Sequence, residues 1–381
     1  MQTQPGTWYV PGMAGTSENE IPILDLEDVA SGDALREKRA SSAIELGLGQ
    51  YGLVYVKNHG IDPAALDLLY KEFLSLTALP IAEKRKWARA DLWFQRGYTP
   101  PNTEKAVVAG GQPDFKECWF AAPIEVDPLA ADLYPEIHPP NVWPEERPAF
   151  RDAYWTLGRA LHDAGLSLLR ACADALGLDR ETFVDRTLGA PHITRALKYL
   201  PLSEEQSKQG VLWGEEHTDF NLLTLLPGGW FLNDKQERCA RPDAESGLFL
   251  RTRGTPENPT GRLLPGSAPP GCIVAQVGQQ LEILTGGRFL ATPHVITAPK
   301  TPGYSRTSMA HFIHVHTDTL LFPLPAFQTR ETMLAYRPPV LAGTYDIKTL
   351  VDIGLAPPEA LSKLGYRHYD RLASVRSKES R

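Results

Sequence analysis

The sequence predicts a mainly β fold with flanking helices, a sandwich or jelly roll. Helical periodicity governs the first half of the chain. The second half breaks into many short apolar runs separated by turn residues. With 381 residues, 42% of them hydrophobic, there is enough chain to bury a large core, and all-β domains of this size occur as single units.

The elements follow in order. Residues 1–20 are polar, carry Gly and Pro, and read as a loose arm. Ile21-Pro22-Ile23-Leu24-Asp25-Leu26 reads as a short edge strand entered through a proline. Residues 34–49 read as a helix. Leu53–Lys57 is β-branched and aromatic, hence a strand, and Asn58-His59-Gly60 turns it. Residues 62–79 carry apolar positions at helical spacing and stop before Pro80. Residues 148–178 form a long amphipathic helix pattern closed by Gly177. Strands are expected at 193–200, 211–213, 221–226, 247–253, 272–277, 288–292 and 306–316. Residues 254–271 are rich in Gly, Pro and Thr and read as a long exposed loop. Helical patterns return at 330–376, broken by Pro338-Pro339 and Pro357-Pro358. The division expected is an arm at 1–20, an N-terminal helix and strand region at 21–145, a β core with its long supporting helix at 146–345, and a helical tail at 346–381.

Composition narrows the function classes. The net charge is −7 and no Lys/Arg stripe stands out, so nothing points to nucleic acid. No apolar run approaches the roughly 18 residues a membrane helix needs, and the N-terminus lacks the charged and apolar regions of a secretory signal. Cys118, Cys172, Cys239 and Cys272 are scattered, with no CxxC pair. Reduced thiols in a cytoplasm are the simplest reading.

One stretch carries chemistry. In Trp213-Gly-Glu-Glu-His217-Thr-Asp219-Phe, an extended backbone places His217 and Asp219 on the same face, so both can reach one metal ion. A second histidine follows in Gly287-Arg-Phe-Leu-Ala-Thr-Pro-His294. A third element, Tyr304-Ser-Arg306-Thr-Ser308, alternates so that Arg306 and Ser308 share a face, twelve residues beyond His294 (306 − 294). A guanidinium offers a planar fork to a carboxylate, and a hydroxyl adds a further bond. Two histidines and one carboxylate leave three metal positions open, as non-haem Fe(II) chemistry requires.

With these motifs the chain resembles the isopenicillin N synthase-like family of Fe(II)/2-oxoglutarate-dependent dioxygenases. The likeness runs from Ile21 to about Tyr345. It includes Tyr51-Gly-Leu-Val-Tyr-Val-Lys-Asn58-His59-Gly60, Leu79-Pro-Ile-Ala-Glu-Lys84, Arg96-Gly97-Tyr98, Asp114-Phe-Lys-Glu117, Asn141-Val-Trp-Pro144, Gly278-Gln-Gln-Leu-Glu282 and Thr285-Gly-Gly-Arg288. The resemblance implies a double-stranded β-helix (jelly roll) core. It implies Fe(II) on His217, Asp219 and His294, and 2-oxoglutarate on Arg306 and Ser308 with Tyr199 nearby. It further implies O₂ as oxidant, succinate and CO₂ as products, and hydroxylation, desaturation or cyclisation of a small molecule, in the manner of secondary metabolism. Neither nucleic acid nor a membrane is expected as a partner. Three departures stand out: Gln279 in place of the family's aspartate, Val295 after the distal histidine, and ligands 77 residues apart (294 − 217). The excess length falls around residues 234–270, expected to form a loop over the substrate mouth.

Other readings stay open. The same Arg-x-Ser pair serves an isopenicillin N synthase-like or ethylene-forming-type oxidase that uses O₂ without 2-oxoglutarate. A zinc hydrolase would also use two histidines and an aspartate, against the absence of HExxH. A metal-free binding protein on the same scaffold would not need the intact ligand set. His59 reads as a turn residue, and His311 and His316 as structural. His314 shares the Arg306 face, which leaves both a pocket position and a packing position open. Asp114, Lys116 and Glu117 read as ion-paired scaffold. Phe94 and Tyr98 read equally as substrate border or core, and Cys118, Cys172 and Cys272 as inert.

Overall fold

The computed structural model describes residues 21–103, 115–252 and 258–364. The expected arm at 1–20, Asp114, residues 253–257 and the expected tail from 365 onward lie outside the described residues.

Two facing sheets form a jelly roll. The strands of the N-terminal half are β1 (Ile23–Asp25), β2 (Leu53–Lys57), β3 (Gly97–Thr99) and β4 (Lys116–Ala121). They are followed by β5 (Ile193–Tyr199), β6 (Gly214–His217), β7 (Leu223–Leu226), β8 (Gly229–Leu232), β9 (Arg238–Cys239), β10 (Gly247–Arg251), β11 (Leu263–Pro265), β12 (Cys272–Val277), β13 (His294–Thr297) and β14 (Ser305–Ile313). The larger sheet has ten strands in the order β1-β2-β12-β7-β14-β5-β4-β3, with β8 on β14 and β9 on β8. The smaller sheet runs β11-β10-β13-β6. Among the described residues only the edge pair β1 and β2 is parallel, and the other pairs in these two sheets are antiparallel.

Helices cover the outer face of the large sheet. Pro63 opens the helix Pro63–Thr77 and Asp62 caps it, its carboxylate accepting from Ala64 N. The helix Pro148–Ala175 lays Leu157, Leu161, Leu168 and Cys172 into the core, and Gly177, at φ +68°, ends it. Each such leucine contributes roughly 1.5–3 kcal/mol by leaving water. The helix lies close to the sheet because Gly165 allows it: a Cβ there would come within 2.2 Å of Ile313 Cδ1. No helix among the described residues is long and apolar enough to cross a membrane.

A buried polar group ties β4 to the helices. Glu117 accepts from Lys84 Nζ at 2.5 Å and from Tyr98 Oη at 2.7 Å, while Lys84 also donates to Thr77 O. Tyr98 is thereby a core residue, and Glu117 is scaffold as expected.

The structure corrects several boundaries. Residues 211–213 are not a strand: Val211 N still closes the preceding short helix on Gln206 O, and the ladder starts at Gly214. Residues 288–292 are not a strand either. Gly286 and Gly287 both take positive φ and turn the chain, and Thr292 spends its hydroxyl on Tyr51 O. The strand begins instead at His294. In the first half, β3 and β4 stand where no strand was expected. Part of the expected loop at 254–271 is strand β11, paired with β10. In the tail pattern, helices occupy Arg330–Ala335 and Ala342–Asp352.

Candidate metal centre

Strand pairing assembles the centre. In the β13–β6 ladder His294 lies directly opposite His217, so both imidazoles leave the sheet on one side. Asp219 follows two residues after the end of β6. One ligand atom from each of the three lies within 4.8 Å of the others. Asp219 Oδ1 is 3.7 Å from both His217 Nε2 and His294 Nε2, and the two rings are 4.3 Å apart.

The surroundings orient all three groups and shift His217 and Asp219. His217 Nδ1 donates to Glu215 O at 2.7 Å, which leaves its Nε2 lone pair directed at the centre. His294 Nδ1 lies 3.3 Å from Thr292 O and 3.4 Å from Gln276 Nε2, on the side of the ring away from Asp219 Oδ1, which Nε2 faces. Crowding by protein atoms and the neighbouring His294 push His217 down to about 4, although half of its side-chain surface faces open space. Burial pushes the Asp219 carboxyl up, but the two imidazoles and hydrogen bonds from Thr224 and Gln276 outweigh it and hold it below the usual carboxylate value. Two imidazoles and one carboxylate are a donor set that suits a divalent metal.

Arg306 and Ser308 do share a face. Arg306 Nη1 donates to Ser308 Oγ at 3.1 Å, and the guanidinium lies 5.6 Å over the ring of Tyr199, its cross-strand partner. These three and the triad line one cavity of about 410 Å³. A second cavity, of about 490 Å³, meets the first at His217 and Asp219 and is walled on its far side by Tyr345, Lys348 and Leu350 of the helix Ala342–Asp352.

The remaining candidates separate cleanly. His311 is buried between His162 Nδ1 at 3.2 Å and Thr194 Oγ1 at 3.0 Å, away from both cavities. His316 pairs with Asp127 at 3.2 Å. His59 Nδ1 accepts from Ile61 N within its turn. His314 takes the pocket position: it lines the second cavity, packed on Phe220 and 3.8 Å from Asp346. Phe94 belongs to an apolar cluster. Lys116 lines both cavities. Cys172 is fully buried with its thiol pushed up by burial, and Cys272 lines the first cavity. Of the expected 234–270 loop, Gly266–Pro270 lies in the wall of the cavity that holds Arg306 and Ser308, and none of its described residues lines the second cavity.

Sequence reasoning missed the residues that orient the triad. Gln276 Nε2 and Thr224 Oγ1 both donate to Asp219 Oδ2. A glutamine inside the apolar run Cys272–Val277 was the available signal. Gln279, the departure from the family pattern, donates to Thr218 Oγ1 at 2.6 Å and accepts from Tyr345 Oη. No signal marked Tyr345, because it reaches the site through tertiary docking of its helix.

Comparison with known proteins agrees with this architecture. Residues 21–146 match the N-terminal profile described as non-haem dioxygenase in morphine synthesis, and residues 242–315 match the 2OG-Fe(II) oxygenase superfamily. The 2'-deoxymugineic-acid 2'-dioxygenase of Hordeum vulgare is 24% identical over 88% of this chain and 85% of its own length. Azadirone synthase of Melia azedarach is 29% identical over 77% of this chain and 82% of its own. A crystal structure of a 2OG-Fe(II) oxygenase family protein from Caulobacter crescentus superposes with a TM-score of 0.69 at 26% identity, covering 89% of this chain and 100% of that one. The jelly roll, the His-Asp-His centre and these matches together make the chain a member of the isopenicillin N synthase-like family of Fe(II)/2-oxoglutarate-dependent oxygenases.

Proposed function

We propose that His217, Asp219 and His294 hold the Fe(II), that Arg306 and Ser308 bind the distal carboxylate of 2-oxoglutarate beside Tyr199, and that the second cavity takes a small-molecule substrate. The observation that carries this reading is the position of Asp219 Oδ1, 3.7 Å from both Nε2 atoms, in the wall of the cavity that also contains Arg306. Iron with bound 2-oxoglutarate would supply the oxidising power from O₂, releasing succinate and CO₂ as the substrate is hydroxylated, desaturated or cyclised.

The chain's own residues prepare that chemistry. Thr224 and Gln276 hold Asp219 Oδ2, so Oδ1 stays turned to the imidazoles. Ser308 holds Arg306 in a fixed fork, and Tyr199 supports the guanidinium from beneath. Phe120, Ile193 and Phe312 give the second cavity dry walls near the centre. A cytoplasmic location and a specialised metabolite as substrate complete the proposal. Four free cysteines support the first. Relatives named for azadirone synthesis and 2'-deoxymugineic acid oxidation support the second.

The test is an anaerobic Fe(II) titration followed by succinate assay. About one Fe(II) should bind per chain, and His217→Ala, Asp219→Ala and His294→Ala should each weaken that binding strongly. Unchanged iron stoichiometry in all three overturns the ligand assignment. Turnover of a substrate at full rate without any 2-oxo acid would move the protein to the oxidase reading, with Arg306 gripping the substrate.

A further inference from the structure

The second cavity contains a hydroxyl whose hydrogen the protein leaves unspent. Thr218 stands between the ligands His217 and Asp219 in the chain, and it lines the second cavity but not the first. Gln279 Nε2 donates to Thr218 Oγ1 at 2.6 Å. Gln279 N donates to Asp219 O at 2.8 Å, so the backbone anchors the same glutamine to the ligand loop.

Tyr345, on the helix Ala342–Asp352, fixes which way the glutamine amide faces. Its Oη donates to Gln279 Oε1 and has no other acceptor among the described residues. Burial pushes the phenol up to about 12, so it keeps that proton. With Oε1 turned to Tyr345, Nε2 faces Thr218. A threonine hydroxyl has one donor and two acceptor lone pairs. Gln279 fills one lone pair, and the Thr218 hydrogen meets no acceptor among the described residues. Neighbouring polar groups of the wall are committed elsewhere. Asn221 Nδ2 donates to Leu223 O and Ile313 O, and Thr349 Oγ1 donates to Tyr345 O.

Building on the Fe(II)/2-oxoglutarate reading, we propose that Thr218 determines specificity: its hydroxyl donates to a carbonyl oxygen of the primary substrate, while Gln279 and Tyr345 position it from behind. The substrate class is a neutral ketone, lactone or amide, with its apolar body along Phe220, Phe312 and Leu350 of the same wall. A single neutral hydroxyl suits an uncharged carbonyl, whereas an ionised acid is gripped by charged or paired donors. Because ligands flank Thr218 on both sides, this bond holds the carbonyl beside the centre.

The experiment uses the full chain, loaded with Fe(II) and 2-oxoglutarate without O₂. Cyclohexanone, acetophenone and 1-indanone are titrated calorimetrically beside the isosteres in which a methylene group replaces the carbonyl oxygen. At least one ketone should bind more tightly than its isostere, on the order of three- to tenfold, as one neutral hydrogen bond allows. Thr218→Val should erase that preference, and Thr218→Ser should keep it. Gln279→Glu should erase it too, because a carboxylate accepts from both hydroxyls and takes the Thr218 hydrogen out of the cavity. Equal affinity of ketones and isosteres, or no measurable binding of any ketone, overturns the proposal. So does a preference that survives in Thr218→Val or Gln279→Glu. The ketone-against-isostere comparison in the unsubstituted protein stands even if a variant misfolds. Binding of Fe(II) and 2-oxoglutarate is measured in the same samples. If both bind normally while ketones and isosteres do not differ, only the substrate class fails. If 2-oxoglutarate does not bind at all, the underlying function fails.

Discussion

Gln276 Nε2 donates to Asp219 Oδ2 across 2.6 Å, from a position where the other residues of its strand are mostly apolar. Thr224 Oγ1 donates to the same oxygen across 2.7 Å. One carboxylate oxygen is thus saturated by the protein, and the other is left for the centre. Removing a group that orients a metal ligand typically lowers metal affinity by about 10–100-fold. Gln276→Leu, which keeps similar volume, should therefore weaken Fe(II) binding by about that factor with little change in secondary structure. An anaerobic titration monitored with circular dichroism checks both. Undiminished affinity would show that Thr224 alone orients Asp219.

Arg306 should matter for 2-oxoglutarate and not for iron. Losing the guanidinium leaves a carboxylate enclosed without its charge partner, a loss of about 3–5 kcal/mol by analogy with buried pairs. That is on the order of a hundredfold or more in affinity. Arg306→Gln should raise the 2-oxoglutarate requirement of succinate formation steeply, with Fe(II) binding nearly intact. Arg306→Lys should recover only part, because an ammonium cannot reproduce the fork that Ser308 holds in place. Equal weakening of iron and co-substrate binding would instead mean that Arg306 supports the fold around the centre.

The triad was legible because strand alternation is a local rule. His217 and Asp219 could be paired from the sequence alone, whereas β2 and β12 were placed by their apolar, β-branched runs between turn residues, and β14 was expected at 306–316 but ends at Ile313. What failed was decided by non-local partners. β4, Lys-Glu-Cys-Trp-Phe-Ala, has no β-branched residue and opens on two charged ones, so its own sequence does not read as a strand. Phe289 and Leu290 look like strand residues, but two glycines with positive φ turn the chain just before them, and burial alone accounts for their apolar character. Tyr345 and Lys348 reach the second cavity only because their helix docks there, and nothing in a helix's own pattern names the surface it will meet. The inserted segment was expected over the substrate mouth. Pairing of β11 with β10 places its following residues in the wall of the cavity with Arg306.

The Lys84–Glu117 pair makes a stability prediction. Both side chains are almost fully buried, and Glu117 also accepts from Tyr98. Removing one member strands the other charge, which typically costs about 3–5 kcal/mol. Glu117→Ala should lower the urea midpoint accordingly, and so should Lys84→Met. The double variant Lys84→Met, Glu117→Leu should lose less than the sum, because no charge remains buried. Additive losses in that cycle would mean the pair is not coupled as the geometry implies.

Buried histidines set the acid limit of the fold. Burial holds His162 and His138 down at about 4, and the nearby Arg96 lowers His138 further. In the unfolded chain both titrate near 6.5, so between about 6.5 and 4 the unfolded state binds protons that the folded state refuses. Stability therefore rises with pH across that window and is lost on acidification, by about 1.4 kcal/mol per pH unit for each histidine. Asp346 acts in the opposite sense, since burial raises its carboxyl well above the usual value. Its contribution is greatest at low pH and fades as pH rises through its folded pKa, so a variant comparison is needed to isolate one group. Neither ring nitrogen of His138 has a hydrogen-bond partner among the described residues, so His138→Leu removes a titrating group without breaking a bond. Urea unfolding at pH 7, 6 and 5 should show the variant at least as stable as the parent at pH 7. Its dependence on pH between 6 and 5 should be shallower by about one proton. An identical slope in the two proteins would mean that His138 protonates as readily in the folded state as in the unfolded one.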